Sequence, residues 1–391
     1  MQTPGRQARP APAGSGRLLR SINERAALYH LLEHGTLTRV ELRELTGLAK
    51  PTASHVMLRL LESGLAVTVG RATTRQVGPK AEVYAVNADY AFAAAATLRE
   101  PDGVTVAVSD LRGRQRASAG AQVDFDSVEA DRAVSDLLAA TAADAGIDLD
   151  RVRVLHLAVP GAHDPDTDTI DCSDIPGLTG RRLRTALSER LRVPVQIHND
   201  VNAATVAERR SPDTGDGLAL LWLGREGIGV GVDLGSGLLV GEHGAAGELG
   251  YVPAFADRSG PDDPTFQDWL GAEAVVALGR AHGIGGDAEA VMAAAVERGA
   301  ESLLVDFADR VAAAVRLLGC LIDPPRIVLA GEVAAAGGEV LVRHVRSASG
   351  RFGDRVAPSA VEGDPVAIGV LDSAYADLKS LLLDSALEGA R

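Results

Sequence analysis

Asn199 and Asp200 are the first residues whose types and position could do chemistry. They close an apolar run that predicts a strand over residues 193–197, and a helical pattern begins directly after them. A carboxylate at the carboxyl end of a strand commonly faces a crevice, where it can accept a proton from a ligand hydroxyl. The position also permits a purely structural role, in which Asp200 caps the following helix.

Two glycine-rich segments follow these residues. Residues 223–231 read LGREGIGVG, a turn of the kind whose backbone approaches phosphates, although glycine repeats also simply make tight hairpins. Residues 241–251 read GEHGAAGELGY and place Glu242, His243 and Glu248 among four glycines. Small residues with acids suit a backbone-lined pocket for a polyhydroxy ligand, and a solvated loop explains them almost as well.

The elements that must position these residues alternate between strands and helices from about residue 91 onward. This alternation predicts an α/β body whose halves meet near residue 200, with a ligand cleft between two lobes. The candidate strands are 92–98, 104–110, 152–158, 193–197, 218–223, 228–234, 238–242 and 326–330. The helical patterns are 127–145, 180–192, 201–209, 265–281, 300–321 and 365–386.

Residues 35–65 predict two short helices joined by a tight turn. Thr38 and Glu41 form a T-x-x-E capping box at the start of the first helix, and a Thr-Gly pair at 46–47 breaks the pattern. The second helix begins around Lys50, because the proline that follows is tolerated in a first helical turn. Helix, glycine-containing turn and helix is how a helix-turn-helix presents a recognition helix to the DNA major groove.

The flanking residues extend this pattern to a winged helix-turn-helix. A preceding helix is predicted over 25–33, and strands over 65–70 and 81–86 enclose a basic hairpin tip. The alternative is an ordinary small helical subdomain that packs on the rest of the chain. We expect DNA contacts from the open face of the recognition helix and from the wing, at Lys50, Thr52, Ser54, His55, Arg71, Arg75 and Lys80.

The charge of the chain is divided unevenly between its two ends. The whole chain carries a net charge of −14, which argues against a general coat for nucleic acid. Residues 1–90 hold 12 Lys and Arg against 7 Asp and Glu, a net charge of +5, whereas the remaining 301 residues carry −19. A basic N-terminal module is drawn to DNA, while the acidic body is repelled from it.

Composition and cysteine usage indicate the compartment. Apolar residues make up 46% of the chain, which excludes a mainly disordered protein, and no apolar run reaches the ~18 residues that span a bilayer. Residues 1–18 lack the apolar core of a signal peptide and predict a flexible tail. Cys172 and Cys320 form no metal or redox motif. These features predict a reduced, cytoplasmic protein without a membrane partner.

Five short segments, taken in order, resemble the motifs of the ROK family of repressors, open reading frames and sugar kinases. The resemblance covers nearly everything from about Asn23 to the C-terminus. It implies an actin-like, two-lobed sugar-kinase body that is usually oligomeric, and in the family's regulators an N-terminal winged helix that binds operators. The segments are TRVELRELTGLAKPTASHVMLRLLESGL at 38–65, AVPG at 158–161, NDVNAA at 199–204, GIGVG at 227–231 and HGAAGELGY at 243–251.

The resemblance also implies which residues contact a sugar. Asn199, Asp200 and Glu248 match the family's sugar contacts, and Asp268 aligns with the usual final Glu. Tyr251 replaces a His that the family commonly uses to hold zinc together with a cysteine-rich run, and residues 252–271 contain no Cys. We therefore expect no metal in this segment, and a sugar site in which the four polar residues converge on one cleft with Tyr251 at its edge.

Departures from the family's kinases predict that the body is not an enzyme. Family kinases bind ATP with a D-x-G-x-T loop after the first strand of the body, and residues 92–103 contain no such loop. The similar DLGSG at 233–237 lies after the glycine-rich turn and is interpreted as a turn. Glu226 interrupts the glycine-rich segment and would repel a triphosphate. Because phosphoryl transfer depends on positioning and charge neutralisation, we expect no kinase activity and no cofactor.

The sequence therefore predicts a transcriptional regulator, a repressor, with a degenerate sugar-kinase body. Its expected domains are a flexible tail over 1–18, a winged helix-turn-helix over 19–88, and a ROK-type actin-like sensor and oligomerisation domain over 89–391. The expected partners are double-stranded DNA with a palindromic operator, a sugar or sugar derivative as effector, and further copies in a homodimer or homotetramer. Two alternatives stay open: an active sugar kinase, and a pseudokinase scaffold that binds DNA without a ligand.

Overall fold

The fold is mixed α/β, as predicted, with a small N-terminal unit followed by two lobes that each contain one sheet. The computed structural model describes residues 14–71, 81–99, 103–171, 175, 177–210, 217–225, 227–254 and 263–388. Of the residues singled out above, Arg75, Lys80, Cys172 and Glu226 lie outside these ranges. None of the helices within them is long and apolar enough to cross a membrane.

The N-terminal unit packs three helices against a three-stranded antiparallel sheet. The first helix begins at Gly14, so that residues 14–18, predicted as part of the tail, are helical. The sheet has the strand order β1-β3-β2. The elements are α1 (Gly14–His34), β1 (Thr36–Thr38), α2 (Arg39–Thr46), α3 (Lys50–Glu62), β2 (Ala66–Arg71) and β3 (Glu82–Val86).

Local sequence sets the ends of α2 and α3. The predicted capping box is confirmed, because the Thr38 amide donates to Glu41 Oε2 at 2.7 Å and the Glu41 amide donates to Thr38 Oγ1 at 3.3 Å. Gly47 ends α2 in the left-handed region, at φ 69°. Pro51 lies in the first turn of α3, where its missing amide hydrogen has no intrahelical partner to lose.

Lobe one is built on a five-stranded sheet of order β10-β7-β4-β5-β6. β10 and β4 both run parallel to β7, which lies between them, so the carboxyl ends of these three strands meet at one edge. The strands are β4 (Phe92–Arg99), β5 (Gly103–Asp110), β6 (Gln115–Ala121), β7 (Val152–Val159) and β10 (Val195–Asn199), with the short hairpin β8 (Ala162–Asp164) and β9 (Thr169–Asp171). The helices are α4 (Ala130–Asp144), α5 (Leu183–Leu191) and α6 (Asp200–Glu208).

Lobe two is built on a four-stranded sheet of order β12-β11-β13-β14. Its strands are β11 (Leu218–Leu223), β12 (Ile228–Asp233), β13 (Ile327–Ala330) and β14 (Val356–Pro358). Its helices are α7 (Phe266–Leu270), α8 (Ala272–Ala281), α9 (Ala288–Arg298), α10 (Glu301–Leu321) and α11 (Glu332–Ala348).

The last helix, α12 (Pro365–Glu388), joins the three parts of the molecule. Its first turns place Val366 and Val370 in an apolar cluster between the two sheets, which also contains Val201 of α6. Its later turns place Leu378 and Leu382 in the core of the N-terminal unit. The two lobes have further cores of their own, so that α12 is the element through which the separate cores are connected.

Several sequence predictions miss or misplace an element. The strand predicted over 238–242 is wrong, because glycines at 237 and 241 take positive φ and only Leu238 forms an isolated bridge. The helix predicted over 265–281 is two helices that break at the extended Gly271. The sequence pattern also missed β1, α9, α11, β6, β8, β9 and β14. The strand β6 reads QRASAGA and lacks an apolar stripe, and α11 contains two glycines, one of them with non-helical angles.

Gly369 sets the distance between α12 and α6. A Cβ at this position would collide with the carbonyl oxygen of Ala203. We expect Gly369→Ala to lower the free energy of unfolding by about 2 kcal/mol or more, because overpacking displaces one helix. The matched control is Gly16→Ala in α1, where an added Cβ meets nothing within 4 Å. Denaturant unfolding should show the control unchanged or slightly more stable, and equal behaviour of the two variants would contradict this packing.

Candidate functional site

A cavity of about 430 Å³ opens between the two lobes at the carboxyl ends of β4, β7 and β10. It brings together residues that are far apart in the chain, including four of the five predicted sugar contacts. The lining includes Arg99, Asn199, Asp200, Trp222, Arg225, Glu248, Tyr251, Gln267 and Glu332. The location agrees with the expectation of a cleft near residue 200.

Asn199 caps the helix α6, whereas the Asp200 carboxylate faces the cavity without capping the helix. The Asn199 side chain caps α6, since its Oδ1 accepts from the Asn202 amide at 3.1 Å and its Nδ2 donates to the Gly161 carbonyl at 3.2 Å. The alternative that Asp200 is the cap is therefore wrong. The Asp200 carboxylate accepts from the neighbouring Val201 amide at 2.8 Å and lines the cavity.

The cavity changes the acidity of two of the carboxyl groups that line it, Asp200 and Glu248. Burial, with a smaller contribution from the nearby Glu248, raises the pKa of Asp200 to about 6 against the opposing effects of Arg99 and of backbone amides. Burial also raises the pKa of Glu248. At neutral pH Asp200 is mostly ionised, so it can accept hydrogen bonds from ligand hydroxyls, and its pKa is close to the value that suits a proton acceptor.

The glycine-rich segment at 223–231 forms the tight hairpin. β11 and β12 pair from Leu218 and Asp233 to Leu223 and Ile228. A Cβ at Gly229 or Gly231 would collide with Val201 or Thr205 of α6, so these glycines allow α6 to lie directly on β12. The DLGSG segment is a turn, as interpreted, because the Asp233 carboxylate accepts from the Gly235 amide at 2.8 Å.

Gly247 positions Glu248 at the cavity. It has φ 96°, and a Cβ there would collide with the Val230 carbonyl oxygen. The Val230 amide donates to the Gly247 carbonyl at 2.9 Å, which holds this segment along β12. The glycines at 229, 231 and 247 therefore serve close packing that brings Asp200 and Glu248 to the same cavity.

An ion pair that the sequence analysis missed crosses the cavity from one lobe to the other. Arg99 Nη1, at the end of β4, lies 3.5 Å from Glu332 Oε1, at the start of α11. The Arg225 amide donates to the other Glu332 oxygen at 3.1 Å, and the Arg99 guanidinium lies 5.6 Å from the Trp222 ring centre. The sequence signal that could have found this pair was the position of Arg99 at the end of β4, since family kinases carry their phosphate loop directly after this strand.

Asp268 does not join the other predicted contacts, and its expected placement is corrected. Its Oδ2 accepts from the Thr265 amide at 2.8 Å and from Thr265 Oγ1 at 2.9 Å, and these bonds lower the pKa of Asp268. A T-x-x-D capping box at the start of α7 therefore holds the carboxylate. Gln267 lines the cavity instead, with Oε1 accepting from the Ile228 amide at 3.0 Å. Tyr251 lies at the rim with 63% of its surface exposed.

The zinc that the family commonly holds finds no ligand set among the residues that the structure describes. No group of three or more His, Cys, Asp or Glu side chains is arranged there to hold a metal ion. The resemblance places Tyr251 at the position of the family's zinc-binding His, and a phenol is a poor replacement for an imidazole ligand.

The residues predicted to contact DNA lie on the solvent side of the N-terminal unit as far as they are described. Lys50, His55 and Arg71 are exposed, while Thr52 and Ser54 are half-buried. Lys50 forms no ion pair with another described residue. The opposite face of α3 supplies core residues, namely Ala53, Val56, Met57 and Leu60. The wing residues Arg75 and Lys80 belong to the part of the chain outside the described ranges.

The sequence of residues 128–352 matches the model of the ROK family. The chain belongs to the ROK family. This agrees with the site geometry, in which four of the five segments named as family motifs, those at 158–161, 199–204, 227–231 and 243–251, line one cavity.

ROK relatives include both sugar kinases and repressors. The bifunctional enzyme NanE/NanK of Brucella suis biovar 1 is 34% identical over 200 residues, which cover 50% of this chain and 37% of that protein. The transcriptional dual regulator NagC of Escherichia coli K12 is 24% identical over 255 residues, which cover 64% of this chain and 61% of that protein. The chain thus spans less than two thirds of each of these relatives.

Among solved structures, a ROK family transcriptional regulator described as a homologue of the E. coli MLC protein matches this fold with a TM-score of 0.73. The match covers 95% of this chain and 100% of that one at 16% identity. At this identity the likeness shows the fold alone, and it extends across the N-terminal unit as well as both lobes.

The raised pKa of Asp200 predicts how the stability of the protein depends on pH. Because the folded-state pKa of about 6 exceeds the ordinary value of 3.8, stability falls as pH rises from about 4 to about 6. We expect Asp200→Asn to be more stable than the wild type at pH 7.5, by roughly 1–3 kcal/mol, and the difference to vanish near pH 4.

The matched control for this prediction is Asp268→Asn. The pKa of Asp268 is lowered, so its contribution to stability is present above pH 4 and is lost as pH falls. Asp268→Asn should therefore be less stable than the wild type at pH 7.5. Thermal unfolding of the wild type and the two variants from pH 4 to pH 7.5 measures both stability changes. An Asp200→Asn protein that is less stable than the wild type at pH 7.5 would contradict the raised pKa of Asp200.

Proposed function

We propose that the protein is a DNA-binding transcriptional regulator whose two-lobed body binds a sugar or sugar derivative without phosphorylating it. The observation that carries this proposal is the convergence of Asn199, Asp200 and Glu248 on one interlobe cavity, in a chain that also presents an exposed basic helix start. The similarity to ROK repressors and kinases supports a shared sugar-binding body.

The N-terminal unit supports the DNA-binding part of the proposal. We infer that it is a winged helix-turn-helix in which α3 is the recognition helix, since α3 buries one face and exposes Lys50 and His55 near its leading end. The excess of basic residues in 1–90 favours approach to phosphate, and the acidic body disfavours other binding surfaces. A palindromic operator read by a homodimer or homotetramer follows from this module, because two-fold proteins read two-fold sites.

The cavity supports a polyhydroxy ligand. Two carboxylates and the half-buried Asn199 place several hydrogen-bonding atoms within one small volume. Sugar hydroxyls can donate to the acids, whereas buried acceptors without partners are costly. Gln267 adds a polar group to the cavity lining where Asp268 was expected, and Tyr251 adds another at the rim.

The ion pair between Arg99 and Glu332 supports a body that does not transfer phosphate. The pair lies in the part of the cleft that follows β4. It also brings the Glu332 carboxylate to the turn between β11 and β12, where it accepts from the Arg225 amide. Because the charge of Arg99 is balanced by Glu332, it is less available to neutralise a triphosphate in this position. Kinase catalysis needs phosphate charge to be neutralised, so the pair acts against it.

The active kinase is kept as a second candidate on one observation. Asp200 has a pKa of about 6, a value suited to removing a proton from a sugar hydroxyl. A scaffold that binds DNA without a ligand is the third possibility, and it leaves the convergence of three polar residues on a cavity without a role.

The DNA-binding proposal predicts the effect of changes on α3. We expect the double variant Lys50→Ala, His55→Ala to bind the DNA upstream of its own gene at least about 10-fold more weakly, a loss of ~1.4 kcal/mol. Fluorescence anisotropy at fixed salt measures the affinity, and circular dichroism checks the fold. Arg298→Ala is the control, since it removes an exposed positive charge at the end of α9. Equal affinity of the double variant and the wild type would remove the recognition-helix assignment.

The non-catalytic proposal predicts an assay result. We expect no sugar phosphate when the protein is incubated with ATP, magnesium and glucose, N-acetylglucosamine, N-acetylmannosamine or xylose. The charge of Glu332 and the missing phosphate loop are the reasons. A coupled ADP-release assay, run beside an active hexokinase, measures the rate. Turnover that disappears in Asp200→Asn would establish the kinase instead.

A further inference from the structure

A partly buried chain of polar side chains runs from the cavity strand to α12. His198 directly precedes Asn199 and Asp200 on β10, and its Nε2 lies 2.9 Å from Nδ1 of His156 on β7. The other nitrogen of His156, Nε2, lies 3.3 Å from Oδ2 of Asp377 on α12. His156 is buried, with 2% of its surface exposed. Histidines in such a position need partners for both ring nitrogens.

We propose that the chain His198–His156–Asp377 is a positioning relay that couples the interlobe cavity to the DNA-binding unit through α12. The proposal rests on the proposed function, since it concerns how the ligand site and the DNA site communicate. It assigns a role to buried polar groups that ligand binding and DNA contact do not use.

The carboxylate of Asp377 fixes the direction of one hydrogen bond in the relay. A carboxylate only accepts, so His156 Nε2 donates to Asp377. His156 Nδ1 and His198 Nε2 share the next hydrogen bond, in which one ring donates and the other accepts. Burial and the neighbouring His156 lower the pKa of His198 to about 3, so this ring is neutral at physiological pH. A shift or rotation of β10 at His198 would break this hydrogen bond and leave a buried nitrogen without a partner.

A second hydrogen bond ties the same strand to the same carboxylate. Gln196 Nε2, also on β10, donates to Asp377 Oδ2 at 3.0 Å. Asp377 therefore holds β7 through His156 and β10 through Gln196. Because Asn199 and Asp200 continue directly from β10, a ligand that draws these residues toward the cavity acts on α12 through both bonds.

The same turn of α12 is anchored in the N-terminal unit. Ala374 and Leu378, one turn before and one residue after Asp377, are fully buried in the cluster that contains Leu28 and Leu31 of α1. Lys379 Nζ lies 3.2 Å from Glu33 Oε1, also on α1. Movement of Asp377 is thus transmitted to α1, on which the proposed recognition helix α3 packs through the same cluster.

The test compares two substitutions at Asp377, which is exposed enough to accept them. The Asp377 side chain has 34% of its surface accessible. Asp377→Leu removes the acceptor, whereas Asp377→Asn keeps an acceptor oxygen and should rescue the relay. Asp372→Asn is the control, because Asp372 lies on the same helix and pairs with Arg210, away from β7 and β10.

The first readout needs no ligand. Hydrogen exchange of the backbone amides at 198–202 should be at least about 3-fold faster in Asp377→Leu than in the wild type, and unchanged in Asp377→Asn and Asp372→Asn. Faster exchange confined to α12 around residue 377 would overturn the relay. This result does not depend on DNA or sugar binding, so it separates failure of the relay from failure of the proposed function.

The second readout is the effect of N-acetyl-D-glucosamine on affinity for the DNA upstream of the gene. Where the wild type responds, Asp377→Leu should keep each separate affinity within about 2-fold and lose most of the response, while Asp377→Asn keeps it. A full response in Asp377→Leu would overturn the proposal. Where the wild type binds neither DNA nor sugar, the proposed function fails and the exchange measurement alone decides the relay.

Discussion

The close packing of α6 against β12 and α12 is the constraint on which the rest of the structure depends. Glycines at 229, 231 and 369 remove the side chains that would separate these elements. The helix therefore lies between the two sheets, and its first residue, Asp200, is held where solvent is restricted. The raised pKa of this carboxyl group is a direct consequence of that packing. One arrangement thus connects the lobes and creates the chemistry of the cavity.

Much of the fold and part of the candidate site could be predicted from the sequence, because residues close together in the chain determine them. The capping box at Thr38, the strand ending at Asn199 and the family motifs all depend on nearby residues. Asp268 was misplaced because its carboxylate had a local partner, Thr265, that competed with the expected distant site. The ion pair of Arg99 with Glu332 joins residues that only the folded topology brings together, and single-sequence patterns do not report such pairs.

The cavity combines features of a catalyst with features that oppose phosphate transfer. Asp200 keeps an acidity that suits proton abstraction, while Glu332 brings negative charge into the cleft and pairs with Arg99. A sugar-binding site needs only the Asp200 carboxylate, since a carboxylate whose pKa lies close to the ambient pH still accepts hydrogen bonds from hydroxyls. The proposed function interprets this combination as a sugar-binding body that does not transfer phosphate.

The central claim is that a sugar in the interlobe cavity and DNA at the N-terminal unit influence each other. Calorimetric titration of glucose, N-acetylglucosamine, N-acetylmannosamine and xylose, into the free protein and into its complex with the upstream DNA, tests this claim most directly. The account predicts that one of these sugars binds, that its affinity differs at least about 5-fold between the two titrations, and that Glu248→Gln removes the heat. A sugar that binds with equal affinity in both titrations, or no heat from any of them, would contradict it.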